Sequence, residues 1–304
     1  MSGVAEQAGT ATARSEPRRT GRGRAWHRLR QQPVAICAGV ILVVVFVAGA
    51  LAPRFAPNPH TVYIGKWQNH APVLSGWHLL GTDQLGRDML VRMLYGLHYS
   101  EQSALLATLL ASVVGILLGG VAGYRGGWLD SLIMRFGDML GVFPALMFLL
   151  LAYTYFLPVT VMKATLIIGF FLWIQVARVV RAEVASLRER EFVHAAQSLG
   201  ASDRRIFFRH LLPNAGSTII VATTSLLGMV IIVEATLEFL NVGVPSAVEP
   251  TLGNLIGDAQ SGSLAYGLGW WTLVGPAGLL ILILVCVNLL GDGLAEALRP
   301  ARPR

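Results

Sequence analysis

Two groups of polar residues in this 304-residue sequence could carry chemistry. The first is the segment EFVHAAQSLGASDRRIFFRHLLPN, residues 191–214, which brings acids, arginines and histidines together between long apolar runs. We call this segment the insert. The second group is the pair Glu234 and Glu238, which share one helix face because they lie four residues apart. Carboxylates in an apolar segment usually face a polar cavity or a partner, so this pair predicts either a solute pathway or a structural contact.

The motifs of common hydrolases and nucleotide-binding sites are absent from the sequence. Neither Lys66 nor Lys163 lies in a Gly-rich phosphate-binding loop, and the patterns HExxH and GxSxG do not occur. The histidines between positions 60 and 98 lack the spacing of metal ligands. We therefore predict no catalytic residue, no metal site and no cofactor in this chain.

The composition indicates a membrane protein, since 54% of the residues are hydrophobic and only 13% are charged. A helix needs about 20 apolar residues to cross a bilayer. Lys and Arg can snorkel at the ends of one shorter run, and no run alternates as a membrane barrel requires. The predicted fold is an all-α polytopic membrane protein with six transmembrane helices, at residues 33–52, 102–124, 139–162, 163–181, 211–233 and 259–291.

Lysines and arginines are concentrated in every second segment between these spans, which places them on one side of the membrane. Most of the 24 lie before residue 33, between residues 178 and 209, or after residue 292, whereas residues 241–271 contain none. Because cytoplasmic loops are enriched in Lys and Arg, both termini are predicted to be cytoplasmic. The net charge of +7 then reflects membrane topology and does not indicate nucleic-acid binding.

This topology divides the chain into segments. The first residues are rich in Arg, Gly, Ala, Ser and Thr, a composition typical of disorder. We expect a disordered basic cytoplasmic tail (1–32), a first transmembrane helix (33–52), an outer loop (53–100), a transmembrane domain (101–291) with a cytoplasmic loop at 183–214, and a cytoplasmic tail (292–304).

The outer loop contains GTDQLGRDMLVRMLYGLHYS, in which apolar residues recur at helical spacing from Leu85 to Leu97. Thr82 or Asp83 could cap this helix, and Arg87, Asp88 and Arg92 lie off its apolar stripe. We expect an amphipathic helix at the outer surface or against the bundle. It either shapes the loop or contacts an external partner.

Three glycines spaced four apart, Gly115, Gly119 and Gly123, lie in the second predicted span. Small residues at this spacing let two helices approach closely in lipid. We expect them to serve packing.

The insert has the pattern of two short helices. Phe192, Ala195, Ala196 and Leu199 predict one apolar face, and Gly200 then predicts a helix end. Ser202 could cap a second helix with Asp203 in its first turn. The buried side of that helix is predicted to comprise Ile206, Phe207, His210 and Leu211.

Two interpretations of the insert compete. A small-residue helix, a Gly turn and a basic helix resemble a DNA-binding helix-turn-helix, but the segment between spans is too short for an independent domain. Alternatively, the insert docks onto a cytoplasmic protein. Ala195, Ala196 and Gly200 would then allow close approach, and the arginines would meet acidic groups.

The spacing His194-Ala195-Ala196, three residues, Gly200, nine residues, His210-Leu211-Leu212-Pro213 resembles the cytoplasmic signature loop of bacterial ABC-importer permeases. That signature is written EAA, three residues, Gly, nine residues, I-x-L-P. The segments GTDQLGRDMLVRMLYG and VNLLGDGLAEALRP resemble the dipeptide/oligopeptide/nickel branch, in particular its C-type subunit. One departure is EATLEFLNVGVP, where this branch usually has EAALSFLGLGV, so Glu238 and Asn241 are atypical.

The resemblance implies the type I importer fold in a bacterial inner membrane, with a coupling helix between the fourth and fifth spans. Its implied partners are a B-type permease subunit, two ATPase subunits that hold ATP and Mg²⁺, and an extracytoplasmic solute-binding protein. The implied solutes are di- and oligopeptides, with nickel complexes, glutathione or glycans as alternatives. The matching ATPase-coupling residues are Glu191, His194, Ala195, Ala196, Gly200, Ser202, Asp203, Arg204, Arg205 and Pro213.

The candidate pathway residues are Glu234, Glu238 and Asn241. Two other functions are considered. A proton-driven secondary transporter would use Glu234 and Glu238 and would usually contain internal repeats, which the sequence lacks. A membrane-anchored regulator would bind nucleic acid through the insert, and its isolated loop would do so in a salt-dependent manner.

Overall fold

The computed structural model describes residues 30–61, 70–72, 78–142, 144–157, 159–262 and 269–298. Most of the predicted tail at residues 1–32 and the end of the tail at 292–304 lie outside these ranges. The helices are α1 (Pro33–Phe55), α2 (Met89–Arg125), α3 (Gly127–Val142), α4 (Ala145–Tyr155), α5 (Val161–Arg188), α6 (Glu191–Ser198), α7 (Asp203–Ile206), a π-helical turn (Phe207–Leu211), α8 (Leu212–Asn214), α9 (Gly216–Phe239), α10 (Leu252–Ser261) and α11 (Trp270–Leu298).

Five helices in the described part of the chain are long and apolar enough to cross a membrane: α1, α2, α5, α9 and α11. Helices α3 and α4 are bent by 85° relative to each other and form a sixth span if they cross as one unit. This agrees with the predicted all-α membrane fold and its six spans.

Two predicted boundaries differ from the structure. The amphipathic helix of the outer loop is not a separate element, because α2 continues without a break through 37 residues from Met89 to Arg125. The uncharged run at 259–291 is not one span. It contains the end of α10 and most of α11, and the absence of charge does not mark where one apolar helix ends or the next begins.

Helices also extend beyond the predicted loop ends. Helix α5 runs to Arg188, past the expected start of the cytoplasmic loop at residue 183. Helix α11 runs to Leu298, into the expected tail. A count of the residues needed to cross the hydrocarbon layer identifies only the apolar part of a helix. The polar turns that follow this part are also helical.

The centre of the bundle is the close packing of α2 on α5. A side chain at Gly119 would meet the backbone of Ala177, and one at Gly123 would meet the carbonyl of Arg181. Gly115 lies in the same way against Trp173. The prediction that these glycines serve helix packing is confirmed.

Ion pairs and small residues attach the flanking helices. The Arg181 guanidinium on α5 donates to both carboxylate oxygens of Asp130 on α3, with an Nη2–Oδ2 distance of 2.6 Å. At the end of α11, Gly293 lies against Ala35 of α1, and Gln32 donates to Glu296. Helix α1 therefore packs beside α11, at the end of the bundle where α11 finishes.

A buried charge cluster organises the start of α2. Arg92, which is 2% exposed, donates from Nη1 to Asp83 at 2.8 Å and from Nη2 to Asp258 of α10 at 3.2 Å. Arg87 donates from Nε to the same Asp83 at 2.7 Å. Both arginines lie off the apolar stripe of the sequence and are nevertheless buried, because the carboxylates of Asp83 and Asp258 compensate their charges.

The residue that caps α2 also differs from the prediction. Asp88 accepts the backbone N–H of Val91 and pairs with His78 at 2.6 Å, whereas Asp83 binds the two arginines. The helix begins after Asp88, so Thr82 and Asp83 lie too early in the chain to cap it.

Substitution of Gly119 by Val tests the contact between α2 and α5. We expect a loss of about 1–3 kcal/mol of stability or more, because the new side chain forces two backbones apart. The measurement is the thermal unfolding midpoint of the purified protein in detergent. Gly278→Ala in α11 is the control, since nothing lies within 4 Å of its new Cβ atom. Equal midpoints for the two variants would contradict the close packing.

Candidate functional site

The first part of the insert is a short helix that ends in a fixed turn. After α6, the N–H of Gly200 donates to Gln197 at 2.9 Å and that of Ala201 donates to Ala196 at 3.1 Å. Gly200 has a φ of 76°, a left-handed conformation that favours glycine at a helix end. The predicted helix end at Gly200 is confirmed, and this turn fixes the direction of the next segment.

The buried face of α6 is not the predicted one. Val193 and Ala196 are buried against the bundle, whereas Phe192, Ala195 and Leu199 are exposed, Leu199 to 88%. The apolar periodicity of the sequence predicts the helix, but a neighbouring edge of that helix makes the contact with the bundle. The insert therefore presents an apolar strip, Phe192, Ala195 and Leu199, that faces away from the rest of the chain.

The second part of the insert runs from α7 through the π-helical turn to α8. Ile206, Phe207 and Leu211 are buried, as predicted, and His210 is half-buried. The wide turn directly precedes Pro213, which has no N–H to donate and whose ring clashes within a regular helix. Helix α9 starts two residues after α8, so the insert is joined almost continuously to a span.

The acid at the start of α7 connects the insert to α2. Ser202 occupies the capping position but makes no side-chain hydrogen bond to the helix, so the predicted cap is wrong. The adjacent Asp203 instead accepts the hydroxyl of Tyr124 at 2.8 Å. Arg188, at the end of α5, donates to the carbonyl of Tyr124 at 2.9 Å. Tyr124 thus joins α2, α5 and the insert.

Phe207 makes the apolar contact between the insert and the bundle. Its ring lies against Gly120, where any side chain would collide with it, and its centroid is 6.4 Å from that of Tyr124. Gly120 and Tyr124 are one turn apart on α2. Neither residue was predicted to contact the insert, although a glycine beside the packing stripe and an aromatic residue at the helix end are signals in the sequence.

The predicted coupling residues form a surface that suits a protein partner. Ser202, Arg204, Arg205 and Phe208 line a shallow hollow in the second part of the insert. Cationic and apolar groups are thus combined, as in protein interfaces. Ala196 is the one buried member of the predicted set; the exposed members are Glu191, His194, Ala195, Gly200, Ser202, Asp203, Arg204, Arg205 and Pro213.

The candidate pathway residues lie near the other end of α9. Glu234 is 3% exposed and accepts a hydrogen bond from the Ser103 side chain. Glu238 is 1% exposed, and both of its carboxylate oxygens accept the N–H of Val244 at 3.1 Å. These are contacts within the chain, and a role in a solute pathway stays a prediction.

Asn241 ends α9. Its φ is 55°, its N–H donates to Glu238 at 3.0 Å, and the N–H of Val242 donates to Leu237 at 3.3 Å. This is the same type of helix end as at Gly200, and Asn is the residue other than Gly that most readily adopts it. Asn241 therefore keeps the helix end that the usual Gly at this position would form.

No group of three or more His, Cys, Asp or Glu side chains in the described ranges is placed to hold a metal ion. The insert, with its exposed apolar strip and anchored inner side, is thus the strongest candidate site in this part of the molecule.

Comparison with known proteins identifies two family models. The model described as "Binding-protein-dependent transport system inner membrane component" matches residues 115–302, and the "N-terminal TM domain of oligopeptide transport permease C" matches residues 22–72. The chain is 34% identical over 278 residues to the dipeptide transport system permease protein DppC of Bacillus subtilis. This match covers 91% of this chain and 84% of DppC. It is 32% identical to the oligopeptide transport system permease protein OppC of Haemophilus influenzae, over 90% of this chain and 86% of OppC.

A solved structure supports the fold. An inward-facing conformation of the MetNI methionine ABC transporter contains a chain that matches with a TM-score of 0.55 and 17% sequence identity. The match covers 70% of this chain and 97% of that one. At this identity the likeness concerns the fold alone.

Truncation of Phe207 tests the anchor of the insert. We expect Phe207→Ala to cost about 3 kcal/mol, because it leaves a cavity against Gly120 and Tyr124. Phe208→Ala is the matched control: the neighbouring ring is 51% exposed, so its loss should cost less than about 1 kcal/mol. Thermal unfolding of the two purified variants measures the difference. A Phe207→Ala variant as stable as Phe208→Ala would show that the insert is not anchored there.

Proposed function

This chain belongs to the family of binding-protein-dependent transport system inner membrane components and is the permease subunit of an ABC importer; on that premise we propose that its solutes are di- and oligopeptides and that its insert binds the ATPase subunits. It is a multi-pass inner-membrane protein and a transport component, not an enzyme.

The names of the relatives support peptides as solutes. Proteins named for dipeptide or oligopeptide transport are 32–34% identical over about nine tenths of this chain. A glutathione transport system permease protein of Pectobacterium atrosepticum is 32% identical. Glutathione is itself a tripeptide, so one chemical class accounts for all three names.

The exposed apolar strip of the insert carries the coupling proposal. Among the described residues, the large apolar side chains of Phe192 and Leu199 are 37% and 88% exposed, and Arg204 and Arg205 are exposed on the next helix, α7. Burial of such a strip in a partner's cleft would be favourable, and the arginines would add electrostatic complementarity. The buried side rests on α2 through Phe207 and Asp203, so a partner that moves the strip also moves the helix.

The remaining partners follow from the same proposal. Two ATPase subunits bind and hydrolyse ATP with Mg²⁺, a second, B-type permease completes the pathway, and an extracytoplasmic solute-binding protein delivers peptide. The insert and both termini then face the cytoplasm, in keeping with the arginines near that end of the bundle. Nucleic acid has no part in this assembly. Glu234 and Glu238 make contacts inside the chain, which does not favour the proton-driven alternative.

Reconstitution of the assembled complex with its solute-binding protein in proteoliposomes tests the transport function. A labelled tripeptide should accumulate only when ATP is supplied to the ATPase side, and a protonophore should leave that uptake unchanged. Uptake driven by a pH gradient without ATP would instead support the secondary transporter.

Leu199→Asp tests the coupling surface. A charge in place of the most exposed side chain of the strip should weaken ATPase binding by about tenfold or more, as expected when a buried apolar anchor is lost. This substitution leaves Gly200, the left-handed residue of the turn, in place. The readouts are copurification of the ATPase subunits and ATP-driven uptake.

Val248→Asp provides the control for Leu199→Asp. Val248 is also an exposed apolar residue, at 62%, but it lies in the segment between α9 and α10. This variant should retain its ATPase subunits. If the Leu199→Asp complex retained them as well and transported normally, the coupling assignment would be wrong.

A further inference from the structure

Helix α9 forms the floor of an open cleft of about 540 Å³ between α5 and α11. This volume is typical of small-ligand sites, which measure about 300–1,000 Å³. From α9 the cleft is lined at helical spacing by one face of the helix, and residues near the end of α11 form one wall. Its polar lining residues are Gln175 of α5 and Ser217, Thr218 and Ser225 of α9.

The lining is mostly apolar and includes four polar, uncharged residues. Their hydroxyl and amide groups lie among apolar side chains such as Val221 and Met229, and no acidic or basic residue of the described ranges lines the cleft. Such a surface can exchange hydrogen bonds with amide groups without selecting the charge of a side chain.

The position of these polar groups argues against a lipid-facing groove. Gln175 lies halfway along α5, and Ser225 lies well inside α9; both are exposed. An uncompensated amide or hydroxyl in hydrocarbon costs several kcal/mol, about 4–8 in the transfer to an alkane. By contrast, Ile220, which lies about 140° around α9 from Ser225, is apolar and 46% exposed. Helix α9 thus exposes polar groups in the cleft and an apolar side chain on another face.

The cleft lies along the part of α9 that follows the insert. Ser217 lies next to the start of α9, directly after the insert, and Leu298 ends α11. Further along the helix, α10 covers α9: Gly253 lies against the backbone of Ala235, and Gly257 against that of Phe239. The lining residues therefore lie between the insert and the part of α9 that α10 covers.

The two glutamates project away from this cleft. Glu234 follows Ser225 by nine residues, about 2.5 helical turns, so it lies on the opposite side of α9. Its neighbour is Ser103 of α2, in the interior of the bundle. The acids that the sequence singled out therefore lie on a different face of α9 from this cleft.

We propose that the cleft lined by Gln175, Ser217, Thr218 and Ser225 is this chain's share of the solute pathway in its inward-open form, and that it contacts peptides through their main-chain amides. This inference rests on the function proposed above and adds the site and the mode of contact. The neutral lining accepts peptides that differ in side-chain charge, so selection falls to the binding protein that delivers them.

Cysteine accessibility in the assembled complex tests this inference. The background is Cys37→Ser, which removes the exposed native thiol, whereas Cys286 is buried. Ser225→Cys should react with a membrane-impermeant, cationic methanethiosulfonate added from the insert side. Ile220→Cys is the control: it lies closer to that side and is 46% exposed, but on the other face of α9.

Depth alone would make Ile220→Cys react faster, because it lies closer to the insert side, whereas the cleft predicts the opposite order. Ser225→Cys should react at least about tenfold faster than Ile220→Cys, because a reactive thiolate forms in water and not in lipid. A mixture of tripeptides should slow the reaction at Ser225→Cys alone. Slow labelling at Ser225→Cys would overturn the inference, since lipid or a helix of the second permease would then fill the cleft.

ATP-driven peptide uptake by the Cys37→Ser complex before labelling separates the two proposals. If uptake is present and Ser225→Cys stays unreactive, only the cleft is misassigned. If labelling is fast but uptake is absent and tripeptides do not protect, the cleft is a water-filled path for another solute, and the peptide assignment fails at both levels.

Discussion

The close approach of α2 and α5 is the contact on which the rest of this structure depends. At Gly115, Gly119 and Gly123 the backbone of one helix rests directly on the other, so the two cannot slide without a clash. The insert continues from the end of α5 and is fixed to α2 through Phe207 and Asp203. Any force on the insert is therefore applied to both helices together.

This anchoring gives the insert two different sides. The inner side is apolar and buried, and the outer side is exposed and carries the apolar strip among charged residues, a combination typical of interaction sites. Rigid attachment combined with an uncovered strip is what a mechanical link requires. In the membrane, α9 continues from the insert and lines an open cleft, so the same movement would reach the solute pathway.

The sequence predicted the fold class, the number of spans, the glycine packing and the helix end at Gly200, since each depends on composition or on local backbone preference. Features that depend on distant partners were not predictable. Arg92 is buried because Asp258 lies next to it, 166 residues later. The inner edge of α6 could not be chosen without the position of the bundle, and the burial of Glu234 and Glu238 could not be predicted without the fold.

The central claim is that the strip around Leu199 lies in contact with the ATPase subunits. Photo-cross-linking of Leu199→Cys, labelled with a benzophenone maleimide in the Cys37→Ser complex, measures this contact directly. The account predicts a product with the combined mass of the permease and one ATPase subunit, formed in the membrane-bound complex. Adducts with the second permease alone, or no adduct while the ATPase subunits are bound, would contradict it.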